Sequence, residues 1–189
     1  QGLLDRTHGG ARPIQGSREL PVRLRDGRNQ AAKSRIAAAA AKLVPEGKHA
    51  IGLSGGTTAA EVLRALHHRT DLTIITNSLS IGLEAAEQGQ GRVLIAGGVL
   101  LSCTGELVGS LAEATLRLVN VGTALVGVDG LSSSGGLTTH DDIEARTNHT
   151  MIERAQRVIA VADASKIGHV TLAKMADLSE IDILVTDSN

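Results

Sequence analysis

Six short apolar runs recur along the 189-residue chain: Ala50–Leu53, Leu72–Ile75, Val93–Ala96, Ala124–Val128, Val158–Ala162 and Ile183–Val185. Successive runs start roughly twenty to thirty-five residues apart, the span of a crossover that carries a helix between two parallel strands. Segments with a helical apolar period fill most of the intervals: Ala59–His67, Leu79–Glu87, Leu111–Val119 and Ile143–Ala155. Another helix is expected from Asn29 to Val44. There Ile36, Ala40, Leu43 and Val44 share one face, and Pro45-Glu46-Gly47 ends the pattern. Such alternation predicts an α/β fold: an open, mostly parallel sheet flanked by helices, with right-handed crossovers.

Composition narrows what this sheet can do. The chain has no Phe, Tyr or Trp, so its core must be built from Leu, Ile, Val and Ala. A sugar or base would have to be held without aromatic stacking. A net charge of -1 carries no basic footprint for nucleic acid or a membrane surface. No apolar run reaches the length of a membrane span, and no leader-like pattern opens the chain. A single cysteine, Cys103, excludes an internal disulfide and fits a reducing cytoplasm. The seven histidines do not cluster with Cys103 or the carboxylates, so neither metal nor cofactor is expected. Residues 1–28 are mixed, with Gly9-Gly10 and two prolines, and read as a linker or arm before a domain at 29–189. A chain that opens on Gln1 is expected to be a piece of something longer.

In an open α/β sheet, ligands bind beyond the carboxyl ends of the strands. The first run is followed by Ser54-Gly55-Gly56-Thr57-Thr58, the second by Thr76-Asn77-Ser78 and the third by Gly97-Gly98. Asp129-Gly130 follows the fourth, with Ser134-Gly135-Gly136-Leu137-Thr138-Thr139 close behind. The fifth gives Asp163-Ala164-Ser165-Lys166 and the sixth Thr186-Asp187. Small, hydroxyl, amide, carboxylate and ammonium groups can thus line one polar crevice.

The first of these loops has the clearest chemistry. Thr58-Ala59-Ala60-Glu61 matches a capping box, and Ala59, Val62, Leu63 and Leu66 form the apolar face of the helix that follows. Gly55 and Gly56 let backbone N–H groups approach a ligand, Ser54, Thr57 and Thr58 add hydroxyls, and a helix N-terminus favours an anion. A phosphate is the expected occupant; the alternative is a tight turn with a good cap. The spacing and the missing Gly-Lys-Ser/Thr ending exclude a nucleotide P-loop. Thr76 and Asn77 either line the crevice or cap the next helix, and Gly97-Gly98 is a ligand wall or a plain turn. Lys166, at a strand end opposite the anion loop, would complete phosphate or carboxylate recognition. Asp129, Gly135, Gly136, Thr138 and Asp163 complete the candidate set, while Asp141, Asp142 and Glu144 read as the charged start of a helix.

LSGGTT, TNS, the glycine pair at 97–98, GVDGL followed by GGLTTHD, EARTNHTMIERA, VADASKIG and IDILVTD occur in that order. Together they resemble the effector-binding domain of the DeoR family of bacterial transcriptional repressors, over the whole chain. The resemblance implies a fold like that of ribose-5-phosphate isomerase, and a phosphorylated sugar or related metabolite as effector, its phosphate in the anion loop. It also implies a homo-oligomer, and DNA binding only through a winged helix-turn-helix preceding Asp5-Arg6-Thr7-His8-Gly9-Gly10-Ala11. A last strand of the family's domain would follow Thr186-Asp187. Ser54, Asn148 and Ile167 stand where the family often has Asp, Lys and Phe, changes that bear on which effector is bound. The alternative function is a sugar-phosphate isomerase using Asp129, Asp163 and Lys166, since aldose–ketose exchange needs a base at carbon and a donor at oxygen.

Overall fold

The computed structural model describes residues 4–7, 10–13 and 29–188. Two short strands, β1 (Leu4–Thr7) and β2 (Gly10–Pro13), pair antiparallel within the expected linker; His8, Gly9 and residues 14–28 lie outside the described residues. Then follow α1 (Gln30–Ala41), β3 (His49–Leu53), α2 (Thr57–Ala65), β4 (Leu72–Thr76), α3 (Leu79–Glu87) and β5 (Arg92–Ile95). The second half holds β6 (Val99–Leu101), β7 (Glu106–Val108), α4 (Ser110–Arg117), β8 (Thr123–Gly127), β9 (Gly130–Ser132) and β10 (Gly136–Thr139). The chain continues through α5 (Asp142–Glu153), β11 (Val158–Val161), β12 (Ala173–Ala176) and β13 (Ile183–Val185).

All six expected strands form one parallel sheet in the order β13-β11-β8-β3-β4-β5. Its strands alternate in a strict two-residue rhythm, which divides the core. Ile51, Leu53, Ile74, Leu125, Ile159 and Val161 pack on one face with α1, α2 and α3. Ile75, Ala124, Val126, Val158 and Ala160 pack on the other, with α4 and α5. Aliphatic side chains therefore fill both layers without a ring, as the composition required. At Gly52, on the central strand β3, a helix presses close to the sheet. A Cβ there would lie 2.9 Å from the Met151 sulfur of α5.

The sequence reading missed two small antiparallel units: the hairpin β6-β7 and the sheet β12-β10-β9. Their strands are three or four residues long, and in the β12-β10-β9 sheet most positions are Gly, Ala, Ser or Thr, too little for a periodicity to register. Among the described residues no helix is long and apolar enough to cross a membrane.

Candidate functional site

The sheet order fixes where a ligand can enter. β3 leads to β4 and β5 on one side, whereas β8 returns on the other, so the topology reverses between β3 and β8. Such a switch point opens a crevice at the strand carboxyl ends. Here the two loops are tied together: Ser54 Oγ accepts from the Gly127 N–H at 3.0 Å, and the Ser54 N–H donates to Leu125 O at 3.3 Å.

The loop after β3 differs from expectation in one respect. No capping box forms at Thr58; α2 starts two residues earlier, with Gly56 as N-cap and no side-chain cap hydrogen bond. Gly56 has φ 96°, a backbone that side chains rarely adopt, and nothing lies within 4 Å of where its Cβ would be. Glu61, the presumed return arm of the box, is drawn away by Arg64 and Ser34. Among the described residues, no side chain caps the first turn of α2 around Gly56, Thr57 and Thr58, in a helix end that attracts an anion.

Gly55 has a different reason to be glycine. A Cβ there would fall 2.0 Å from Glu106 Oε1, because the β7 carboxylate packs directly against the loop. Glu106 Oε2 accepts from Asn77 Nδ2 at 3.0 Å and from Asn148 Nδ2 at 3.1 Å, and Asn77 Nδ2 also donates to Asn148 Oδ1 at 3.0 Å. All three side chains are buried. With both donors of its amide used, Asn77 turns Oδ1 away from the cluster, and that atom is buried without a hydrogen-bond partner. An orphaned buried acceptor costs about 1–3 kcal/mol unless something donates to it. Glu106 and Asn148 were not on the sequence-derived list. Glu106 sits in a stretch too short to read as a strand, and Asn148 entered the sequence reading only as a position where the family often has Lys.

Across the switch point, Lys166 Nζ stands 3.6 Å from Asp129 Oδ1, so the ends of β11 and β8 meet as expected. Thr139 Oγ1 reaches Glu144 Oε1 at 2.5 Å and lies 3.3 Å from Asp129 Oδ2, which adds a second carboxylate to this wall. Asp163 is engaged internally: its Oδ1 accepts from the Ser165 N–H at 3.0 Å and from Asn29 Nδ2 at 3.2 Å.

Other expected site residues also have internal work. Thr76 Oγ1 donates to Leu53 O at 2.7 Å and accepts from the Ser78 N–H. Ser78, not Asn77, caps α3, accepting from the Ile81 N–H. Gly98 packs on β7, where a Cβ would meet Val108 O at 2.6 Å; Gly97 has open space. Gly135 and Gly136 sit at the tip of the β9-β10 hairpin, away from Asp129, against Val170 and the Ala176 carbonyl. Thr138 Oγ1 donates to Gly130 O and accepts from the Thr171 N–H, holding the small sheet together. Among the described residues, the expected site groups with no hydrogen bond seen inside the protein are therefore fewer: the first turn of α2 at Gly56, Thr57 and Thr58, and Asn77 Oδ1.

With that geometry in place, likeness to known proteins can be weighed. The family described as the DeoR C terminal sensor domain matches residues 28–188. The chain belongs to that family. It is 35% identical over 188 residues to the HTH-type transcriptional regulator GlpR of Haloferax volcanii, covering 99% of this chain and 73% of that protein. It is 32% identical over 191 residues to the glycerol-3-phosphate regulon repressor of Escherichia coli K12, covering 100% of this chain and 74% of that one. Among solved structures, ribose 5-phosphate isomerase A from Methanocaldococcus jannaschii superposes with TM-score 0.55 at 21% identity, over 74% of this chain and 55% of that one. The chain thus spans little more than half of the isomerase, and the likeness is one of fold. The probable sor operon regulator of Shigella flexneri superposes with TM-score 0.53 at 14% identity, over 89% of each chain.

The sensor-domain family is one of transcriptional regulators, and this chain is a ligand-sensing regulatory domain rather than an enzyme. Its fold is the α/β arrangement expected from the strand spacing, and it is shared with the isomerase.

Proposed function

We propose that the crevice at the β3/β8 switch point is the effector pocket of this sensor domain, and that it binds a phosphorylated sugar or polyol. The first turn of α2 holds the phosphate. Asn77 Oδ1, Asp129 and Lys166 read the hydroxyl-bearing end. The observation that carries this reading is the start of α2 at the switch point: a helix N-terminus with no side-chain cap and open space at Gly56. The carboxylates of Glu106, Asp129 and Glu144 around it favour a ligand whose other end donates hydrogen bonds and disfavour one bearing a second carboxylate. The name of the Escherichia coli relative, a glycerol-3-phosphate regulon repressor, points to the same ligand class.

In this reading residues 29–189 form the sensor, and residues 1–28 connect it to a DNA-binding head in the cytoplasm. Effector binding shifts the population of head arrangements through its differential affinity for them. The test is calorimetry and thermal shift against a panel of sugar and polyol phosphates, phosphoglycerate and inorganic phosphate. A saturating effector at about a hundred times its Kd should add about 2.7 kcal/mol of stability. Equal response to phosphoglycerate and to polyol phosphates, or none to either, overturns the assignment.

A further inference from the structure

α1 starts at the carboxyl end of the sheet, and residues 1–28 lead into it. Asn29, the N-cap of that helix, is the one non-glycine residue with a positive φ among the described residues, at 53°. Asparagine enters this left-handed region more readily than most residues. Here it does so without capping, because its side chain makes no hydrogen bond to the first turn. Instead Nδ2 donates to Asp163 Oδ1 at 3.2 Å, across 134 positions of sequence. The left-handed backbone thus aims the amide at the end of β11. Further along α1, Arg35 Nη2 stands 3.9 Å from Asp187 Oδ2, just past the end of β13.

Both carboxylates hold the turn that carries Lys166. Asp163 Oδ1 also accepts from the Ser165 N–H at 3.0 Å and from the Ser165 hydroxyl, and Asp163 O accepts from the Lys166 N–H at 2.9 Å. Asp187 Oδ1 accepts from the Ala164 N–H at 2.8 Å. On the other side of the turn, Lys166 Nζ meets Asp129 Oδ1 at 3.6 Å, at the end of β8. Residues 163–166 are therefore held from α1 through two carboxylates and from the crevice through one ammonium. Asp163 is buried and the Asp187 side chain is 3% exposed, so water competes little for these bonds.

We propose that Asn29, Asp163 and Asp187 are positioning residues for Lys166, and that the start of α1 is the joint through which the crevice and the arm before Asn29 sense one another; this rests on the crevice being the effector pocket. A ligand that engages Lys166 or Asp129 changes the pull on residues 163–166, and the bonds that hold this turn run to α1. Coupling of this kind is reciprocal. An arm that keeps Asn29 in its left-handed conformation keeps Lys166 in place, and an arm that frees Asn29 releases it. Of the helices, α1 is the one that the arm leads into.

The test needs no ligand. Competitive amine labelling of the 189-residue chain, read by mass spectrometry, reports how freely Lys166 Nζ moves, with the exposed Lys42 and Lys48 as internal references. Amide exchange by NMR follows the Lys33, Ser34 and Arg35 N–H groups at the start of α1, where the Lys33 N–H donates to Asn29 O at 3.0 Å. Asn29→Gly keeps the left-handed backbone and removes only the side-chain amide. It should raise Lys166 labelling by about two- to tenfold, the range that one hydrogen bond of ordinary net strength sets on a local opening. Lys42 and Lys48 labelling and the far-UV circular dichroism should stay unchanged. Asp187→Ala should act in the same direction. In reverse, Lys166→Ala should speed amide exchange at the start of α1 severalfold. Arg154→Ala, which breaks a bond to Val119 O at the opposite end of the sheet, should move neither readout. Unchanged Lys166 labelling in both Asn29→Gly and Asp187→Ala, unchanged α1 exchange in Lys166→Ala, or an equal response to Arg154→Ala overturns the proposal. A chain that shows this coupling yet answers to no phosphorylated ligand overturns the effector reading instead.

Discussion

Two helices begin beside the crevice, and they begin differently. At α5, Asp141 Oδ1 accepts from the Ile143 and Glu144 N–H groups, both at 2.9 Å, so the first turn is closed by its own chain. At α2 the N-cap is Gly56, and no side chain fills the same role. Both ends carry the same backbone dipole. What separates them is whether their donors are already committed. A closed end contributes to stability, while an open one leaves its donors to a ligand. Asp141 also places a negative charge where an anion would otherwise be attracted.

The harshest way to break this contrast is to put a charge into the open end. Thr57→Glu should lower affinity for a sugar phosphate at least about a hundredfold, because a like charge within about 4 Å of a phosphate in a partly screened pocket costs several kcal/mol. The fold should persist, since Thr57 lies outside the buried core. Unchanged affinity in calorimetry would mean that the open end is not the phosphate subsite.

Lys166→Ala asks whether α2 works alone. Loss of one charge-assisted contact should weaken effector binding by about 1–3 kcal/mol and leave Asp129 without its nearest ammonium. No change in affinity would leave α2 as the sole determinant. Gly55→Ala probes the floor beneath the open end. Its Cβ must displace Glu106, at an overpacking cost of about 1–3 kcal/mol in unfolding free energy. The Gly55→Ala/Glu106→Ala pair should recover part of that loss, and strict additivity in a denaturation cycle would refute the contact.

Asp141→Ala sharpens the comparison from the closed side. It should cost about 1 kcal/mol of stability, the worth of a helix cap, and leave phosphate affinity at α2 unchanged. The smallest effect concerns α4, whose Gly109 N-cap also has no side-chain acceptor but whose first turn carries Glu113. The Arg146 guanidinium, hydrogen-bonded to Glu113 at 2.8 Å, holds that carboxyl below its ordinary value of 4.5; Arg117 adds to this and desolvation opposes it. A depressed carboxylate contributes stability above its unfolded pKa and loses it as pH falls through the folded one. Glu113→Gln should therefore flatten the stability loss below pH 4.5 slightly, and added salt should shrink the difference, since both arginines are largely exposed.

The architecture was legible because it depends on local, repeated signals. Runs of Ile, Val, Leu and Ala separated by amphipathic helices specify a parallel sheet whatever the details of the loops, and α3 and β13 fall on the residues expected. The strand-end rule likewise grouped the polar loops, and the structure sets two of their residues, Asp129 and Lys166, side by side. What each polar residue does there was decided by partners distant in the chain. Ser54 answers to Gly127, Thr76 to Leu53, Asp163 to Asn29 and Asn77 to Glu106 and Asn148. The sequence shows that a hydroxyl or amide stands at a strand end, because that follows from periodicity along the chain. Whether its hydrogen bonds are spent inside the protein or left for a ligand depends on which buried groups come within 3 Å, and folding alone settles that.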